Sequence, residues 1–126
     1  MMDVLIVERD ELMGSILADA MDGEGIPFMV ASDEEALKLP PDDAPRVVIT
    51  GLNRGHYEDL EGLEVVAAMR RKWPQLCVVY LASLWPVHPR LELAAGERFL
   101  KKPVRLTQVT DTVRELLGSG LCARPD

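Results

Sequence analysis

Val4-Leu5-Ile6-Val7-Glu8-Arg9-Asp10 decides the fold. Four apolar residues, three of them β-branched, run without a polar interruption and stop against three charges. The run is too short for a helix and apolar on both faces, which predicts a parallel strand covered by helices on both sides. The charges lead into a second pattern. Leu12, Ile16, Leu17 and Ala20 recur at helical spacing, with Asp10 as the N-cap and Gly23 as the stop. A strand thus feeds a helix through a charged turn.

The same unit recurs outward from this stretch. Apolar runs at Pro27–Ala31, Val47–Thr50, Leu76–Ala82 and Arg98–Leu100 predict four more strands. Glu34–Leu39 predicts a short helix ended by Pro40-Pro41. Leu63, Val66, Ala67 and Arg70 with Trp73 predict a third, closed by Pro74. Pro89–Ala95 predicts a fourth, very short one stopped by Gly96. Leu106, Val109, Val113, Leu116 and Leu117 give the clearest stripe. Met13, Met21, Met29 and Met69 fit as core filler, and Arg70-Arg71-Lys72 as the solvated end of the third helix. Residues 118–126 show no period and are expected to be a loose tail to a domain spanning 1–117.

The 126 residues allow one domain, 48% hydrophobic and 28% charged. A chain of this size buries roughly two thirds of its unfolded surface and needs no disulfide or metal. A net charge of −7 argues against binding nucleic acid on its own. No apolar run is long enough for a bilayer span, and no leader pattern opens the chain, so a cytoplasmic protein is expected. Cys77 lies in an apolar run and Cys122 in the expected tail, and both read as reduced thiols.

Five strands alternating with helices, joined by right-handed crossovers, make an open doubly wound sheet. In such a sheet the site lies at the carboxyl ends of the strands. The residues there are Glu8-Arg9-Asp10, the loop from Gly51 to Asp59, Ala82-Ser83 and Lys102-Pro103.

Those places carry a resemblance. Val4–Asp10 resembles the first strand and acidic pair of the receiver domains of two-component response regulators. Ala31-Ser32-Asp33-Glu34-Glu35-Ala36-Leu37 resembles their second helix, and Glu61-Gly62-Leu63-Glu64-Val65-Val66 the start of their third. Leu93–Gly96 through Phe99-Leu100-Lys101-Lys102-Pro103-Val104 resembles their fifth strand with its Lys-Pro pair. The resemblance runs from about Val4 to Leu117 and implies a flavodoxin-like α/β fold with strand order 2-1-3-4-5. It also implies phosphoryl transfer from a phosphohistidine to an Asp at the end of the third strand. Mg²⁺ is held there by that Asp and the acidic pair, and a hydroxyl and a Lys hold the phosphoryl oxygens.

The sequence departs from that pattern. Gly51 stands at the acceptor position, Arg9 replaces the second acid, and Ala82 stands at the hydroxyl position with Ser83 beside it. Lys102 keeps the family's residue, and the loop from Gly51 to Gly62 is longer than the family's. The expectation is an atypical receiver that signals by protein–protein contact, is not an enzyme, and binds Mg²⁺ weakly or not at all. Expected partners are a histidine kinase, an effector or another regulator. A homodimer is expected to use the fourth helix, fifth strand and fifth helix, with Phe99 at the aromatic switch position and Pro103 beside it. Glu8 is expected to pair with Arg9 or Lys102.

Other constellations weigh less. His56 and His88 with Glu8 suggest a transition-metal site, but two loop histidines without tight spacing are commonly solvated. Gly51–Gly55 lacks the Lys and Ser/Thr of a phosphate loop. Thr50 and Asp59 as substitute acceptors compete with a buried strand end and an N-terminal helix acid. Trp85 is either packed or an exposed anchor for a partner. The competing class is a domain binding a small ligand, anion or metal through Glu8, Arg9, His56, His88 and Lys102.

Overall fold

The computed structural model describes residues 2–53, 61–83 and 92–122. Five parallel strands form one sheet in the order β2-β1-β3-β4-β5. They are β1 (Val4–Val7), β2 (Phe28–Val30), β3 (Val47–Gly51), β4 (Cys77–Ala82) and β5 (Glu97–Lys101). The helices are α1 (Glu11–Gly23), α2 (Asp33–Lys38), α3 (Glu61–Lys72) and α4 (Leu106–Gly118), with a 3₁₀ turn at Pro41–Asp43. This is the flavodoxin-like arrangement expected from the sequence. Among the described residues no helix is long and apolar enough to cross a membrane.

The doubly apolar strands explain the three layers. Along β1, Val4 and Ile6 enter a core with Leu17, Met21, Val109, Val113 and Leu116 of α1 and α4. Leu5 and Val7 enter the opposite core with Ala36, Val66, Met69 and Trp73. Alternation along one strand therefore feeds two cores, one on each face. Val7 pairs with Thr50, and Gly51 pairs with Leu81, so the ends of β1, β3 and β4 lie at one edge.

Local chemistry fixes the helix ends. Asp10 Oδ1 accepts the N–H of Leu12 at 3.0 Å and of Met13 at 3.3 Å, which makes it the N-cap of α1. The stop of α1 lies past Gly23, at Gly25, with φ of 70°. Gly25 N–H donates to Asp22 O and Ile26 N–H to Met21 O, a left-handed turn that only glycine enters without strain. In α2, Ser32 and Glu35 form a reciprocal capping box.

Several expectations are corrected. The buried seam of α1 is Gly14, Leu17 and Met21, while Leu12 is exposed. Leu12 lies about 200° around the helix from Gly14, so burying one exposes the other. Ala67 and Leu106 are likewise exposed, and Met69 does the packing in α3. The short helix expected at Pro89–Ala95 is absent over 92–94, which carry no regular structure, and its remainder lies outside the described residues. In the segment expected to be a tail, residues 119–121 are exposed and Cys122 packs inward. Cys122 is fully buried, and its carbonyl accepts from Arg46 Nε at 3.2 Å. Arg46 also donates to Leu117 O, so one guanidinium ties this segment to the start of β3.

The end of α3 is not simply solvated. Lys72 Nζ donates to the carbonyls of Ala36, Leu37 and Leu39 at 3.1, 3.0 and 2.6 Å. It satisfies the orphan acceptors at the end of α2, where a cation also suits the helix dipole. Arg70 pairs with Glu97 at 2.8 Å.

Candidate functional site

The site is the carboxyl edge, built from the turns that follow β1, β3, β4 and β5. After β1, Glu8 folds back so that Oε1 accepts the N–H of Asp10 at 3.2 Å. Its side chain is only 5% exposed. The Asp10 carboxylate is engaged in capping α1, and Arg9 is exposed. Of the three charges read together in the sequence, one points inward, one caps a helix and one reaches solvent.

After β3, Gly51 is buried, and Leu52, passed over in the sequence, is fully buried in the core shared with α3. Thr50 is buried as expected, its hydroxyl 3.3 Å from Gly51 O. The first turn of α3 lies directly on this segment. Gly62 N–H donates to Leu52 O at 3.0 Å. A Cβ on Gly62 would stand 2.7 Å from Leu52 O and closer still to Gly51 O. Gly62 is therefore a glycine by close approach to backbone, and it fixes α3 against the end of β3.

After β4, Ala82 is buried and Ser83 exposed. Lys102 N–H donates to Ala82 O at 2.9 Å, which joins the end of β4 to the turn after β5. The Lys102-Pro103 peptide is cis, and Pro103 is exposed. Phe99 is half-buried against the α2–α3 side of the sheet. Trp85, His56, His88 and Asp59 lie outside the described residues, as does the loop beyond Asn53.

The structure brings Glu8 and Lys102 together. Lys102 Nζ stands 3.7 Å from Glu8 Oε1, across the ends of β3 and β4. Gly51 and Ala82, the residues between them at this edge, raise no large side chain in the way. Glu8 Oε2 is buried and has no hydrogen-bond partner among the described residues.

Beside Glu8 lies a groove of about 850 Å³ between α1 and the start of α2. Glu8, Glu11, Asp33, Glu34, Glu35 and Glu61 line it together with Arg9. The sequence reading missed this gathering. Its signal is the acid in the first turn of α1, α2 and α3, placed there by the helix dipole.

A receiver-type Mg²⁺ site needs several oxygens converging on a small octahedral ion. Here Glu8 Oε1 is held by Lys102 and the Asp10 N–H, Asp10 caps a helix, and Gly51 offers no carboxylate. Among the described residues no group of three or more potential ligands forms. Among the described residues the donor set does not fit Mg²⁺.

A second charged cluster lies at the other end of the sheet. Glu97 accepts from Arg70 at 2.8 Å, from Ala94 N–H at 2.8 Å and from Tyr80 OH at 3.4 Å. Burial favours its neutral form, but the Ala94 N–H and the Arg70 guanidinium prevail and hold its carboxyl below the ordinary value. Burial, then the nearby Glu97 charge, pushes the Tyr80 phenol well up. This cluster ties β5 to β4 and α3.

No model of a protein family matches the sequence, and no curated protein matches it. Solved structures match throughout. A response regulator receiver protein from Sinorhizobium medicae is 19% identical, with 98% of each chain covered and a TM-score of 0.73. A CheY-like receiver domain protein from Methanospirillum hungatei is 18% identical, covering 94% of this chain and 95% of its own, at a TM-score of 0.79. The response regulator TrrA from Thermotoga maritima, in complex with Mg²⁺-BeF, is 26% identical over 92% of this chain and 99% of its own, at 0.71. The chain has the fold of response regulator receiver domains.

Proposed function

We propose that this chain is an atypical receiver domain. It signals by protein–protein contact in a two-component or phosphorelay setting, without an Mg²⁺-dependent aspartyl phosphate. The observation that carries this reading is the Glu8–Lys102 pair spanning the end of β3, where Gly51 stands. In the fold's phosphorylated members the lysine and the acids serve an incoming phosphoryl group and its metal. Here they serve each other. The cation at Arg9 adds a charge that opposes a divalent ion.

Such a domain acts as a binding module and not as an enzyme. Its conformation is standing, or set by a partner, and its partners are a histidine kinase, an effector or another regulator. The contact surface is β5 with α4, including Phe99 and Pro103, and it also serves a homodimer.

Incubation with acetyl phosphate and Mg²⁺ tests the reading. The expected mass is unchanged, and Mg²⁺ at millimolar concentration leaves the melting temperature where it was. A stoichiometric, base-labile adduct on any carboxylate, Asp59 being the first to map, overturns it. So does a rise in melting temperature with Mg²⁺ that Glu8→Gln abolishes.

One observation favours a second reading, a small-ligand site. Among the described residues Glu8 Oε2 is buried without a partner beside the acidic groove. A thermal-shift screen of divalent and organic cations separates the two, because only the second reading expects a saturable rise.

A further inference from the structure

The lining of the groove beside Glu8 divides into two kinds. One is small and apolar: Gly14 and Ala18 of α1, with Val30 and Ala31 at the end of β2. The other is acidic and comes from three helix starts: Glu11 on α1, Asp33, Glu34 and Glu35 on α2, and Glu61 on α3. With Glu8 they set carboxylates in excess against the Arg9 guanidinium. Helix starts ordinarily favour an anion. Here their donors are taken. Asp10 accepts the N–H of Leu12 and Met13, and Ser32 and Glu35 accept each other's N–H. The groove therefore offers acceptors and apolar surface, and few donors.

A second observation comes from its inner end. Glu8 lines the groove with a side chain only 5% exposed. Its Oε1 accepts the Asp10 N–H and faces Lys102, while Oε2 is buried without a partner among the described residues. A buried carboxylate oxygen without a donor is costly, and an N–H brought by a ligand removes that cost.

We propose that this groove binds a linear aliphatic polyamine, with a terminal ammonium on Glu8 Oε2 and the methylene chain on the apolar lining between the acids of α1 and α2. The inference rests on the small-ligand reading of the site and names the ligand's class. A polyamine carries N–H donors and methylenes and no acceptor, which matches the lining. A peptide also brings backbone carbonyls, for which the lining holds few donors. Because Oε2 is buried, a slim ammonium on an unbranched chain suits it better than a flat guanidinium. The last torsion of the carboxylate is soft, so the oxygen can turn to meet it. Acids spread over three helix starts favour cations spaced along a chain over one metal ion, and among the described residues no metal-ligand cluster forms.

The test titrates spermidine into the folded full chain by calorimetry at low ionic strength. Mg²⁺, inorganic phosphate and a blocked trilysine peptide, equal in charge to spermidine, are the other titrants. Spermidine should bind saturably and equimolar to the chain. Glu11→Gln and Glu34→Gln, both at exposed positions, should each weaken it about threefold. Glu8→Gln should weaken it about tenfold, and Arg9→Gln should strengthen it. Asp111→Asn, an exposed acid of α4 outside the groove, should change nothing. Binding that does not saturate, or that Asp111→Asn weakens as much as Glu11→Gln does, is general attraction to an acidic protein and overturns the proposal. Tighter binding of trilysine overturns it in favour of a basic protein segment. If Mg²⁺ or phosphate saturates the chain and spermidine does not, the proposal fails and the small-ligand reading stands. If no titrant binds, both fail. The Glu11, Glu34 and Arg9 variants decide the matter even if Glu8→Gln does not fold.

Discussion

Lys102 reaches over the ends of β3 and β4 to stand 3.7 Å from the buried carboxylate of Glu8. The contact joins the turn after the first strand to the turn after the last. It depends on two small residues at the intervening strand ends, Gly51 and Ala82. Lys102 is 29% exposed and Glu8 5%, so the two partners do not lose water equally. The carboxylate is the member that cannot be left alone.

That asymmetry predicts a sign. Lys102→Met should destabilise by about 2 kcal/mol, because it strands the Glu8 charge in the protein. Adding Glu8→Gln should recover part of the loss. A double-mutant cycle by urea unfolding measures the coupling, expected at about 1 kcal/mol or more. Strictly additive losses would show that the two side chains do not interact.

Gly62→Ala should cost about 3 kcal/mol, the upper range for overpacking, because the atoms that must yield are backbone. The added Cβ would meet Leu52 O at 2.7 Å and the Leu52 carbonyl carbon at 2.9 Å. Gly118→Ala is the control, since a Cβ there meets nothing within 4 Å. Chemical denaturation of both variants checks the difference. Equal stability would show that α3 can shift off β3 freely.

Lys72→Met should destabilise by about 2 kcal/mol through the loss of charge-assisted bonds to the end of α2. The ammonium also lies 4.3 Å from the centroid of the Trp73 ring, so Trp73 fluorescence should report the change. Lys72→Arg should recover only part, because a flat fork cannot converge on three carbonyls as an ammonium does. Faster amide exchange confined to α2 is the accompanying signature.

Glu97 gives the pH dependence a sign. Its carboxyl is held below the ordinary value of 4.5, so the unfolded chain takes up this proton before the folded one does. The stability it contributes is fully present above that value and is lost as pH falls through it toward the folded value. Glu97→Gln should flatten the fall in stability between about pH 5 and pH 3. Unfolding curves at a series of pH values measure it, and a parallel profile in the variant would assign the acid sensitivity to other carboxylates.

Much of the fold is legible in the sequence because the strands are locally decided. Val4–Val7 and Val47–Thr50 are β-branched at all positions but Leu5, unbroken and short, and each is followed by a turn, so strand identity and parallel pairing follow from composition and spacing. The capping role of Asp10 is legible for the same reason: cap chemistry acts over three residues. The face of α1 is not. Leu12, Ile16, Leu17 and Ala20 satisfy a helical period, yet the sheet selects Gly14, Leu17 and Met21, because a helix's phase is set by what it packs against.

The sequence by itself determined the five strands in order, the helices between them apart from the one expected at Pro89–Ala95, and the residue without a side chain, Gly51, at the end of β3. Each rests on residue identity or on neighbours within a few positions. Only the tertiary structure decided which charges meet. Glu8 takes Lys102 and not the adjacent Arg9, because β1 and β5 end at the same edge while Arg9 faces solvent. It also brought Cys122 out of an expected tail and into the core, where it is fully buried. A single cysteine in an aperiodic segment carries no local signal of burial, and Arg46, far away in the sequence, ties that segment to the start of β3.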